Sequence, residues 1–320
     1  IRNCDWSSDV CSSDLSIIEY KRIFLPVLLK GDHTIHIAIR SFIKIDHISS
    51  QKTSCFLLVN PYNFQTSVKN DRQLCFRKHS KYNDSKVGYF TWQEISDTPY
   101  VKALFKYTSP QHYNLENSGL IKAESNNLKG ACLTIDLCPS GNSFEKEFFN
   151  MLIANNVSRP IPIAIAISGL WLIHHRDEFL WLLEQESAGY LNITWVNHSY
   201  SHLYLADLPY EENFMLFALT NLDAEFLETE KLLLADNQMP SVFFRFPGLV
   251  SNKTLISQSR KYGHIPLGAN SWIAKNHIPE FKGDIILLHG NGNETEGIKK
   301  ITPYIKKQEH HWLSLQDILY

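Results

Sequence analysis

From residue 128 to the end of the chain, short apolar runs alternate with amphipathic stretches, and this alternation limits the possible folds more than any other feature. The runs fall at 131–137, 161–167, 193–196, 242–246, 265–268 and 285–288. Helical patterns lie among them at 144–154, 171–186, 217–235, 253–262 and 297–307. Strand–helix alternation of this kind predicts a parallel α/β sheet or barrel. Six such units and a final run at 311–315 give about seven strands, slightly fewer than a standard eight-stranded barrel.

Residues 16–125 have another texture. Ile35, Ile37 and Ile39 alternate with polar or small neighbours, and Ile43 and Ile45 continue the alternation after a phase shift. A period of two predicts half-buried strands, so this stretch reads as a small β-rich accessory region. A second run at 55–59 ends in the turn signal Asn60-Pro61, and the polar stretch 69–85 reads as a long loop. Within 1–15, Ser7-Ser8-Asp9-Val10 nearly repeats as Ser12-Ser13-Asp14-Leu15. That segment resembles translated sequencing-adapter read-through, and on that resemblance it is expected to be non-native, with the native N-terminus missing.

Several function classes are excluded at this level. The formal net charge is −2 and no run of Lys and Arg stands out, so nucleic acid is not an expected partner. No stretch of 18 or more apolar residues exists, so no transmembrane helix is predicted. The six cysteines, at 4, 11, 55, 75, 132 and 138, show no C-x-x-C spacing.

In a parallel barrel, functional groups gather at the C-terminal ends of strands. The first run carries Asp136 near its end, and the third runs into His198-Ser199-Tyr200-Ser201-His202. The fourth ends in Arg245-Phe246-Pro247-Gly248, the fifth in Asn270-Ser271-Trp272, and the sixth in His289. Taken singly, each has a plain reading: a strand-end cap for Asp136, an ion-pair partner for Arg245, surface histidines for the pair, a satisfied core histidine for His289. Their shared position, at matching ends of different strands, directs them to one mouth.

In this order the motifs resemble those of the NodB-like polysaccharide deacetylases, carbohydrate esterase family 4. That family's Thr-Phe-Asp-Asp-Gly-Pro stands here as Thr134-Ile135-Asp136-Leu137-Cys138-Pro139. Its His-Ser/Thr-x-x-His is matched in full by residues 198–202, its Arg with following Pro and Gly by 245–248, and its Leu-His by Leu288-His289. The resemblance covers about residues 127–320 and implies a distorted (β/α)7 barrel. It further implies a divalent metal, zinc by expectation, held by His198 and His202. Asp136 would be the general base, His289 the general acid, and Arg245 the partner that keeps Asp136 ionised. A backbone N–H near Gly248 would help hold the oxyanion. The implied partner is a glycan or other N-acetylated substrate, and the implied location is the cell envelope or outside the cell.

Two positions depart from the pattern. Leu137 replaces the carboxylate ligand, and Asn270 stands where an acid orients the catalytic histidine. Two histidines fall short of the three protein ligands usual at catalytic zinc. Either Asp136 shifts to ligation, or Cys138 supplies a thiolate, or metal is held weakly or not at all. The plainer expectation for Cys138 is a small buried apolar residue. Tyr200, Phe246 and Trp272 are candidates for aromatic walls around a sugar ring, or for simple packing. His174 and His175 read as surface or cap residues, and 290–297 as a flexible loop bordering the site. Three functions compete on these residues: glycan deacetylation, hydrolysis of small non-sugar amides, and glycan binding by a barrel that has lost its chemistry.

Overall fold

The computed structural model describes residues 15–30, 34–46, 49–75, 92–125, 127–156, 158–308 and 310–319. Residues 1–14, which carry the adapter-like repeat, and 76–85 of the expected loop lie outside them.

The N-terminal strands are β1 (Leu15–Leu29), β2 (Ile35–Asp46), β3 (Lys52–Val59), β4 (Thr66–Asn70) and β5 (Leu74–Cys75). They form one antiparallel sheet in the order β4-β3-β2-β1-β5. The expected phase shift in β2 is a real register shift between Ala38 and Arg40 against β3. Because side chains alternate with a period of two, one extra residue moves the buried face from odd to even positions. Ile37 and Ile39 lie in the main core before the shift, and Phe42 takes that place after it. Ile43 and Ile45, expected to continue the buried alternation, are only half-buried. Lys69 and Asn70 end β4 rather than opening a loop, and Asn70 caps the short turn that leads into β5.

Two helices follow, α1 (Trp92–Ser96) and α2 (Pro99–Tyr107). Pro99 opens α2, where its missing N–H costs nothing. Tyr100, Val101, Leu104 and Tyr107 make the buried face of α2.

The remainder alternates as the sequence predicts. Strands β6 (Gly130–Leu137), β7 (Ile161–Ile167), β8 (Leu191–Asn197), β9 (Pro240–Phe244), β10 (Ile265–Pro266), β11 (Ser271–Trp272) and β12 (Lys282–His289) form one parallel sheet. Its order is β10-β9-β8-β7-β6-β12-β11, a curled, distorted barrel with its two shortest strands at the edges. Helices α3 (Lys146–Ala154), α4 (Gly169–His174), α5 (Arg176–Ser187), α6 (Leu222–Ala235), α7 (Lys253–Lys261), α8 (Thr295–Lys307) and α9 (Leu315–Leu319) complete it. The seventh strand is not 311–315, whose only pairing is a single bridge from Trp312 to Ala131; it is Ser271–Trp272. The stretch 171–186 is two helices, because the chain leaves helical geometry at His175.

Both faces of the central strands are buried, which is why they read as unbroken apolar runs. One face, with Leu133, Ile135, Leu137, Ile165 and Ile167, packs under helices α3 to α5. The other, with Cys132, Ala164, Ala166, Val196 and Leu287, shares a single cluster with Ile37, Ile39 and α2. The N-terminal sheet is therefore packed into the same core as the parallel sheet.

A buried ion pair fastens the two. Arg40 on β2 donates from Nε to Glu230 Oε2 at 2.7 Å and from Nη2 to Oε1 at 2.8 Å. Its Nη1 donates to the carbonyls of Ile39 and Tyr262. Tyr20 Oη and His264 Nε2 donate to the same carboxylate, at 2.9 and 2.6 Å. Burial pushes the Glu230 carboxyl up, but Arg40 and His264 outweigh it and hold it at about 2, against an ordinary 4.5.

Removing one partner of such a pair leaves an uncompensated buried charge. We expect Arg40→Ala to lose about 3–5 kcal/mol of unfolding free energy in urea titrations. The folded pKa of Glu230 lies below its unfolded value. Its contribution is therefore complete above about pH 4.5 and is lost as pH falls toward about 2. Urea midpoints measured across that range should fall less steeply in Glu230→Gln than in the parent chain.

Candidate active site

Asp136 and His289 are direct neighbours, paired across the adjacent parallel strands β6 and β12. Alternation along β6 then decides which nearby residues can join them. Thr134 and Asp136 face one way, and Leu137 faces the other, into the apolar layer with Ile167 and Trp171. Leu137 is thus a core residue under the helices rather than a blank in the site. Cys138, two positions after Asp136, brings its sulfur back to the site side.

Asp136 is buried at 3% exposure, and Arg245 explains how an ionised carboxylate tolerates this. Arg245 follows β9 and reaches across to donate from Nη1 to Asp136 Oδ1 at 2.6 Å and to Thr134 Oγ1 at 2.7 Å. Its remaining donors go to the carbonyls of Leu267 and Gly268 beyond β10. Burial raises the Asp136 pKa, but Arg245, His198 and His289 lower it more, so the carboxylate stays charged. Oδ2 is left facing the site, 3.7 Å from His198 Nε2.

The histidine pair stands on a loop hung from α6. Glu225 accepts from the backbone N–H groups of Tyr200 and Ser201 and from Ser201 Oγ. Thr229 Oγ1 donates to the Ser199 carbonyl, and Asn197 Nδ2 donates to the Phe226 carbonyl. Ser199 and His202 both take positive φ, 65° and 47°, a cost these contacts offset. His198 Nδ1 donates to the Arg245 carbonyl at 2.8 Å, which assigns the ring proton to Nδ1 and leaves Nε2 as a lone pair facing inward.

Cys138 Sγ lies 3.5 Å from His198 Nε2. One donor atom each from Cys138, His198 and His202 fall within 4.8 Å of one another. His202 Nε2 is shielded from solvent and has no hydrogen-bond partner among the described residues. Burial would raise the Cys138 thiol, but the imidazoles of His202 and His198 outweigh it and hold it well below the ordinary thiol range. Cys132, six residues earlier on β6, shows the contrast: burial pushes its thiol up to about 12. Cys138 is buried as expected of an apolar cysteine, yet its sulfur meets two imidazoles. The donor set therefore fits a transition metal: a thiolate and two imidazoles, one nitrogen otherwise orphaned, the other ring fixed by an outer hydrogen bond.

Asn270, a candidate to orient His289, is not in the site. Asn270 Nδ2 donates to Asp284 Oδ1 at 2.6 Å, and its Oδ1 accepts from the Ile285 N–H, so it ties β11 to β12. The acid beside His289 is Glu294, whose Oε2 lies 2.8 Å from His289 Nδ1. The contact is close enough for an ion pair but is not aligned as a hydrogen bond. Trp272 Nε1 donates to the same oxygen at 2.8 Å. Burial lowers the His289 pKa, but Cys138, Glu294 and Asp136 raise it well above the ordinary value. The loop that carries Glu294 is anchored rather than loose: Asn291 Nδ2 donates to the Cys138 carbonyl, and Asn293 Oδ1 accepts from Ser140 and Asn142. The signal for Glu294 in the sequence was faint, one of two acids in the polar stretch directly after His289.

These groups line one cavity of about 670 Å³. Trp272 is on its wall, with Tyr204 and Tyr210 exposed at its rim. Two expected wall residues are elsewhere: the Tyr200 ring lies against Gly169, and Phe246 is buried among Phe226 and Phe244. Gly248 borders the cavity at φ +61°, and a Cβ there would meet the Phe214 ring at 2.6 Å. His175 is a junction residue between helices, and its Nε2 donates to the Ser140 carbonyl.

The family model of the RP012 protein N-terminal domain matches residues 18–101. Among solved structures, a family 4 carbohydrate esterase from Bacillus anthracis is 19% identical, covering 70% of this chain and 93% of its own, with a TM-score of 0.44. Bacillus subtilis PdaA, also a family 4 carbohydrate esterase, is 16% identical over 68% and 88% of the two chains, with a TM-score of 0.44. A CE4 family pseudoenzyme from Bacillus anthracis is 16% identical over 61% and 67%, with a TM-score of 0.42. Likeness at this level leaves the chemistry to be read from the residues themselves.

The position of Leu137 gives a direct test. Leu137→Asp restores the motif on paper, but it places a carboxylate in an apolar layer. We expect it to cost about 3 kcal/mol or more of stability. The metal content of the purified protein should not rise.

Proposed function

We propose that the chain is a metal-dependent hydrolase that removes N-acetyl groups from a glycan. The observation that carries this reading is the meeting of Asp136, His198, His202 and His289 in one cavity at the C-terminal ends of parallel strands. Amide hydrolysis needs a base for water, charge stabilisation, and a proton for the departing nitrogen. The residues divide these tasks without overlap.

Arg245 holds Asp136 Oδ1, so Oδ2 is the oxygen that accepts a proton from water. Kept ionised by that pairing, Asp136 is ready as a base at neutral pH. His289 stands beside it on the next strand, with Glu294 against Nδ1, so its other ring nitrogen carries the proton for the leaving amine. A divalent metal at His198 and His202 would supply Lewis-acid stabilisation and lower the pKa of water from roughly 16 toward about 7. The Gly248 backbone, at the cavity edge, is the oxyanion donor in this scheme. Trp272, Tyr204 and Tyr210 offer ring faces to a sugar, and the place of the two tyrosines at an open rim favours a polymer over a small amide.

The reading that the site has lost its chemistry rested on Leu137 and Asn270. Cys138 and Glu294 stand where those two losses would be felt, which favours a working site.

Acetate release from N-acetylglucosamine oligomers or peptidoglycan tests the proposal. Asp136→Asn and His289→Ala should each lower kcat by about 10²–10⁴-fold. Sugar bound without any acetate release would instead mark a binding protein. We expect Glu294→Gln to lower kcat by at least about 10-fold with KM little changed, and Glu294→Asp to recover part of the loss. An unchanged kcat in Glu294→Gln would remove Glu294 from the mechanism.

A further inference from the structure

We propose that Cys138 is the third protein ligand of the metal, making a Cys-His-His centre in which no carboxylate ligates. This deepens the proposed function and rests on its metal. Four observations support it.

First, distance. Ligands on a tetrahedral zinc at typical Zn–S and Zn–N lengths lie about 3.6 Å apart across the sulfur–nitrogen edge. Cys138 Sγ and His198 Nε2 are 3.5 Å apart, and His202 closes the triangle within 4.8 Å. Second, an acceptor is waiting: His202 Nε2 is buried and has no partner among the described residues. An imidazole nitrogen left so is costly unless something fills the place. Third, the supporting shell is built. The His198 ring is oriented by the Arg245 carbonyl, and the Cys138 carbonyl is held by Asn291 Nδ2 at 2.9 Å. Fourth, Asp136 stands outside the triangle. Its Oδ1 is bound by Arg245 at 2.6 Å, and although Oδ2 lies 3.7 Å from His198 Nε2, the carboxylate is not among the three residues whose donor atoms converge.

A carboxylate drawn into ligation would leave the base role vacant. A thiolate two residues along the strand avoids that conflict, because positions 136 and 138 share a face while 137 does not. The chemistry also sets the class of metal. Thiolate with imidazole selects zinc or cobalt over magnesium, calcium or manganese.

Cobalt titration of the metal-free full chain provides the test. We expect one equivalent of Co²⁺ to bind and to give a near-ultraviolet charge-transfer band, the signature of a cobalt–thiolate bond. Cys138→Ser should lose the band and weaken binding by more than about 100-fold, beyond what loss of a supporting group produces. Cys138→Asp should keep a bound ion without the band. It serves as the folded control should the serine variant be unstable. Cobalt bound without the band, but lost in His198→Ala, overturns the cysteine ligand and leaves the metal reading standing. So does a band that persists in Cys138→Asp, since the sulfur is then another cysteine. Failure of the parent chain to bind zinc or cobalt overturns both readings at once.

Discussion

The arrangement of the barrel turns on one buried guanidinium. Arg245 crosses from the end of β9 to the end of β6, where it meets Thr134 and Asp136, and its other donors hold the carbonyls after β10. A charge with no solvent exposure must be paired, so Arg245 requires Asp136 to be ionised as firmly as Asp136 requires Arg245. The same ion sets the state of the proposed base, joins the sheet's centre to its β10 edge, and presents the carbonyl that orients His198. Charge state, closure and histidine geometry are therefore one interlocked condition.

Much of this was legible in the sequence, for physical reasons. The run 161–167 coincides with β7, and 131–137 with β6 to within one residue, because strands buried on both faces are apolar throughout. Strand β10 falls within the run 265–268, but β11 is two residues long, too short to leave a pattern, and so the seventh strand was sought at 311–315. The break at His175 also leaves no apolar gap; it depends on a ring stacked on Trp171 and a bond to the Ser140 carbonyl.

The site divides in the same way. Asp136, His198, His202, Arg245 and His289 are visible because each lies near or just past the end of an apolar run. Glu294 is not, because it lies in a polar loop, and its partner Trp272 is distant in sequence. Asn270 misled because its place in the motif pointed to His289, whereas its side chain is taken by Asp284 and the Ile285 N–H. Cys138 was one of three alternatives in the sequence, and parity along the strand places its sulfur on the site side. Leu137 looks like a missing ligand in an alignment and is a core residue in the fold.

Helix α6 is a beam loaded on two sides. Glu225 and Thr229 suspend the histidine loop from it, while Glu230, one residue further on, grips Arg40 of the N-terminal sheet. Trimming the chain to its parallel half would strip Glu230 of its guanidinium and leave a buried anion next to Thr229 with His264 as its remaining side-chain partner. The N-terminal sheet is thus a foundation for the histidines, although none of its strands comes near them in the chain.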